Sequence, residues 1–196
     1  MKTILITPPA VEALTVAQVK DFLKITHTQE DDLLAHFITT ARYMAETYLR
    51  RKLITQRIAS ILPFRPNHRK KQGLQRVWTV GDRYALFLPR GTFQKIHEVE
   101  MISEEGDTVS VPPSRYHVNA HQDPALLVVD DQNGWGVRVT YDVGYGASPT
   151  DIPPPLQHAL LQMVACLYHQ RTLAEGPVLA KVAPLLDPYR LLPGSL

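Results

Sequence analysis

From Val137 to Val143 every second side chain is apolar, with Val137, Val139, Tyr141 and Val143 set against Arg138, Thr140 and Asp142. A period of two is the mark of a strand buried on one face. Gly144, Gly146, Ser148 and Pro149 end it, and prolines at 153, 154 and 155 then open a second pattern. Proline loses nothing at the first helical positions, where the N–H has no partner inside the helix. Leu156, Ala159, Leu160, Met163, Val164 and Leu167 follow at helical spacing, widened by Leu161, Ala165 and Cys166. So wide an apolar stripe has to be covered. The helix predicted over 156–171 therefore lies at the centre of a core, and another element must supply the facing surface.

The N-terminal third offers that surface. Pro8 and Pro9 keep residues 1–13 extended. Thr15 and Gln18 have the spacing of a capping box before a short helix that carries Val19, Phe22 and Leu23. Thr28 is an N-cap candidate for a longer helix over 29–51, with Glu30, Asp31 and Asp32 suited to its positive end. Leu34, Ile38, Ala41, Ala45, Tyr48 and Leu49 share one face of that helix. Arg50, Arg51 and Lys52 suit its negative end.

Between the helices the pattern changes. Leu53–Leu62, Tyr84–Leu88, Phe93–Ile102, Thr108–Val111, Tyr116–Asn119, Ala125–Val129 and Trp135–Val143 read as short strands separated by turn residues. The expected fold is α+β: a helical bundle built from N- and C-terminal helices with an inserted small antiparallel β subdomain. Residues 1–52 and 147–196 form the bundle and its tail, and 53–146 the insert.

Chemistry is sparse. No glycine-rich phosphate loop, nucleophile elbow or H-E-x-x-H is present. His158 and His169 share a helix face but stand about 16 Å apart by helix rise, too far for one metal. Cys166 is the sole cysteine and lies in the apolar helix, so disulfides and a cysteine-based metal site are unsupported. No apolar run approaches the roughly 20 residues of a membrane span. No catalytic set survives, and the sequence offers no cofactor, no metal site and no membrane partner.

Two features point to partners. Between Thr47 and Gly81 stand nine Lys or Arg and no Asp or Glu. Within this stretch (50–76), Arg65, Arg69, Lys70, Lys71 and Arg76 are candidates to face DNA phosphates without sequence specificity. A solvated loop whose charge keeps a β edge from pairing is the other reading. The tail carries Leu185, Leu186, Tyr189, Arg190, Leu191 and Leu192 among Pro184, Pro188 and Pro193, which argue against a long closing helix. Such a segment docks either on its own subunit or on a partner, and without docking it is mobile.

Several phrases, in order, resemble the head–tail connector (adaptor, head-completion) family of tailed bacteriophages and gene transfer agents. Leu14–Ile25 (LTVAQVKDFLKI) is similar to the family's opening phrase. Asp31-Asp32-Leu33-Leu34 with Ile38, Ala41, Arg42 and Glu46 is similar to its long helix, and Leu53-Ile54-Thr55-Gln56 to the phrase after that helix. Leu88-Pro89-Arg90, Tyr116, Val139-Thr140-Tyr141 and Gly144-Tyr145 fall at its strands, and Leu185–Arg190 (LLDPYR) at its ending. The stretch 63–78 is longer and more basic than the family pattern. The resemblance implies a structural, non-enzymatic adaptor in the virion or phage-like particle, assembled in the bacterial cytoplasm. It implies a homo-oligomeric ring, usually a dodecamer, beneath the portal protein. That ring joins the portal to the stopper or tail protein and continues the channel for double-stranded DNA. The tail residues are then candidates for binding the portal. A sequence-independent DNA-binding module is the alternative.

Overall fold

The computed structural model describes residues 2–64, 77–80, 83–130, 134–170 and 178–191. The architecture is mixed α+β, as expected, and divides into two compact units, one of strands (2–8 and 56–144) and one of helices (9–55 and 145–191).

Among the described residues the strand unit holds nine strands in two antiparallel sheets. These are β1 (Lys2–Thr7), β2 (Gln56–Pro63), β3 (Val77–Val80), β4 (Arg83–Phe87), β5 (Phe93–Ile102), β6 (Thr108–Ser110), β7 (Tyr116–Asn119), β8 (Leu126–Val129) and β9 (Gly136–Val143). One sheet has the order β1-β2-β9-β5-β6, the other β3-β4-β8-β7. The alternation over 137–143 lies on the central strand β9. Val137, Val139, Tyr141 and Val143 are fully buried, whereas Arg138, Thr140 and Asp142 are half-buried on the other face. Their core neighbours are Ile58 and Leu62 from β2, Val99 and Met101 from β5, Leu86 from β4, and Leu127 and Val129 from β8. A buried tyrosine needs a partner for its hydroxyl. Tyr141 donates to the Pro89 carbonyl (2.8 Å) and shares a hydrogen bond with Ser60 (3.0 Å). Gly144 ends β9 at φ 139°, a value side chains avoid.

The extended N-terminus is β1, placed on the edge of the larger sheet by antiparallel pairing with β2. Strand β3 was absent from the sequence expectation; it pairs with β4.

The helical unit contains α1 (Val16–Leu23), α2 (Asp31–Leu49), α3 (Pro154–His169) and α4 (Val178–Leu186). Thr15 and Gln18 form the expected capping box: the Thr15 hydroxyl accepts from the Gln18 N–H (3.1 Å) and the Gln18 side chain accepts from the Thr15 N–H (2.8 Å). The start of α2 differs from expectation. Glu30, not Thr28, is its N-cap, without a side-chain cap bond. The Thr28 carbonyl instead accepts from the Asp31 N–H in the preceding turn (3.2 Å). Leu34, Ile38, Ala41, Ala45 and Leu49 of α2 share one core with Leu156, Ala159, Leu160, Met163 and Val164 of α3. Val19 of α1 and Val178, Val182 and Leu186 of α4 complete it.

Candidate interaction site

The tail candidates fall on α4 and the turn after it. Val178, Val182 and Leu186 repeat every fourth residue, so α4 presents one buried stripe to the helical core. Pro184 lies inside this nine-residue helix. The missing N–H frees only the carbonyl one turn back, a cost the buried stripe offsets. Helix and tail thus differ from the expectation of a loose, mobile segment: through Leu191 the chain is packed on its own unit.

Polar contacts fix the turn beyond α4. The Tyr48 hydroxyl donates to Asp187 (2.6 Å), and the Arg51 Nε donates to the Tyr189 carbonyl (2.5 Å). The Leu191 N–H donates to the Leu49 carbonyl (3.0 Å). The Arg190 guanidinium lies 4.5 Å from the centre of the Tyr48 ring, within range of a cation–π contact. The bond to Asp187 holds the Tyr48 phenol above its ordinary pKa. Leu186 and Leu191 are buried; Leu185, Tyr189 and Arg190 are half-buried. Those three, with exposed Pro184, Asp187 and Pro188, form the face this segment turns to solvent. Leu192 lies outside the described residues.

The DNA candidates Arg65, Arg69, Lys70, Lys71 and Arg76 also lie outside the described residues. Three other cations of the basic stretch have internal partners. Arg51 holds Tyr189, Lys52 pairs with Glu46 (2.7 Å), and Arg57 pairs with Asp142 (2.9 Å). Part of the basic run is therefore structural.

Sequence reasoning missed the charge network around α2. Arg42 and Glu46 are both buried and 3.5 Å apart. Arg42 also pairs with Glu12 through two hydrogen bonds (2.7 and 3.1 Å), and Glu46 accepts from Lys52 and from the Leu53 N–H. Burial works against the Arg42 charge, but Glu12 and Glu46 outweigh it and raise its pKa. The signal was the i,i+4 spacing of Arg42 and Glu46; their burial was not in the pattern. Among the described residues no group of three or more His, Cys, Asp or Glu is placed to hold a metal. None of their helices is long and apolar enough to cross a membrane.

Residues 13–74 match the family model described as the phage gp6-like head–tail connector protein. The matched stretch runs from the capping box of α1 through all of α2 to β2, and it contains the opening phrases that carried the resemblance. Over that stretch the chain is similar to the head–tail connector family. No curated protein matches the chain. Its fold is similar to a chain in the virion of a native gene transfer agent particle, with TM-score 0.73 and 20% identity over 98% of this chain and 96% of that one. It is also similar to a chain in the neck of a native gene transfer agent particle computed with C12 symmetry, with TM-score 0.72 and 19% identity over 98% and 96%. A third likeness is to the neck of an empty particle computed with C6 symmetry, with TM-score 0.71, 19% identity and the same coverage. At such identities the likeness is one of fold, and it extends over nearly the whole chain.

Proposed function

We propose that this chain is a head–tail connector, a ring-forming adaptor of a phage or gene transfer agent particle, twelve copies to a ring, seated beneath the capsid portal. It joins the portal to the stopper or tail and continues the channel for double-stranded DNA. One observation carries the reading: a connector-family match at the N-terminus coincides with a whole-chain fold likeness to neck components of assembled particles. In this reading the helices form a bundle in which residues 1–52 and 147–196 meet, and residues 53–146 are the β insert.

The end of α4 and the turn after it form the portal-facing element. Leu185, Tyr189 and Arg190 are its partly accessible groups, and an aromatic and an arginine are favoured anchor types. Repetition around a ring multiplies a contact that is weak in one copy. Arg65, Arg69, Lys70, Lys71 and Arg76 line the channel and meet phosphate, since a channel must pass every sequence. Deleting the gene tests the reading. The expected product is a DNA-packaging head without a tail. Fully tailed, infectious or gene-transferring particles lacking this chain would overturn it.

A further inference from the structure

The larger sheet ends in two strands, and no described strand pairs with the outer side of either. At one end β1 presents Ile4, Leu5 and Ile6 in succession, with Leu5 42% and Ile6 46% exposed and Lys2 as its one charge. At the other end all three residues of β6 are exposed, Val109 to 66%. An open apolar edge is a template for strand addition unless charge, proline or a covering element blocks it. Neither strand has a charge or proline at its middle.

We propose that β1 of one copy adds to β6 of the next, so that the larger sheets of neighbouring subunits join edge to edge around the ring. This rests on the ring reading above and names the surface by which the ring closes. A ring contact is heterologous, joining two different surfaces of identical chains, and the two ends of one sheet are such a pair.

Three properties of the edges agree with this occupant. The first is direction. From β1 through β2, β9 and β5 to β6 every step is antiparallel, so four reversals leave β1 and β6 running the same way. A rotation that sets the next copy's sheet alongside preserves that direction, and the added pair is parallel. The second is charge. A parallel pair brings the two strand beginnings together. Lys2 begins β1, and exposed Glu104, Glu105 and Asp107 immediately precede β6. An antiparallel pair would set that acidic turn against Thr7 and Pro8 instead. The third is the sheet face. Leu5 is in register with buried Ile58, and Val109 with buried Met101, so both lie on the core side of the sheet. Placing Leu5 opposite Val109 joins two exposed apolar side chains and brings Lys2 alongside Gly106, between Glu105 and Asp107.

The test is disulfide trapping in assembled particles, with Cys166→Ala as the background. Leu5→Cys combined with Val109→Cys should give, on oxidation, a ladder of covalent multimers on a non-reducing gel. Each single variant should give none. Ile4→Cys with Thr108→Cys probes the same register on the opposite face and serves if the first pair fails to incorporate. Monomer alone from both pairs, while an amine-reactive cross-linker on the same particles yields ring-sized products, overturns the edge contact and leaves the ring. Monomer from the cross-linker as well removes the ring, and the edge contact with it.

Discussion

Tyr141 and Glu46 show how single side chains settle the interior of each unit. The Tyr141 ring is fully buried and its hydroxyl has two protein partners. Tyr141→Phe leaves the Pro89 carbonyl and Ser60 short of a partner and should cost about 1–3 kcal/mol in chemical denaturation. Glu46→Ala removes the carboxylate that buried Arg42 and Lys52 share. Arg42 keeps its pair with Glu12, but the Leu53 N–H and Lys52 lose their acceptor, so this variant should cost about 1–3 kcal/mol in chemical denaturation, more than any exposed-residue control. Asp142 gives a pH signature. Burial disfavours its charge, but hydrogen bonds and charge from Arg57 and His97 prevail and hold its carboxyl below the usual range. A carboxyl depressed on folding adds stability above its unfolded pKa of about 3.9, and that stability is lost as pH falls through the folded value. Asp142→Asn should therefore be less stable than the parent near neutrality. Urea midpoints should converge as pH drops below about 4; a gap unchanged by acid would refute the assignment.

At the scale of elements, what was legible was local. The capping box of α1, the stripes of α2 and α3, the prolines opening α3 and the alternation of β9 each depend on residues a few positions apart. What was not legible depends on distant partners. Nothing in Lys2–Thr7 says that β2 will pair with it across some fifty residues. Nothing in the prolines of the tail says that Val178, Val182 and Leu186 will find the core and make α4 a helix despite Pro184. Among site residues, the turn after α4 was legible as a docking segment because its leucines need cover. Its fastening by Tyr48 and Arg51 was not, because those residues lie far away in sequence. Leu186→Ala should cost about 2–5 kcal/mol by thermal or chemical unfolding, the range for emptying a leucine site in a core. Ile38→Ala or Leu160→Ala should cost a similar amount from the α2 and α3 sides. A loss under about 0.5 kcal/mol at all three would mean these helices do not share a core.

For the whole molecule, the balance of apolar and charged residues describes a folded chain without naming a task. The order of its phrases resembles the head–tail connectors, and its fold is like that of chains in the necks of gene transfer agent particles; the proposed function rests on the two together. The basic stretch belongs to this scale because its effect is collective. If Arg65, Arg69, Lys70, Lys71 and Arg76 line a channel, replacing all five with Gln should leave ring assembly intact. The same change should weaken the salt-sensitive retention of duplex in assembled necks by at least tenfold, irrespective of sequence. The most direct test of the account is a cryo-electron microscopy map of the particle that carries this chain. The account predicts twelve copies of its fold in a ring between capsid portal and tail, enclosing the DNA path. A map that places the chain in the capsid shell or the tail tube, or shows a complete neck without it, would contradict that claim.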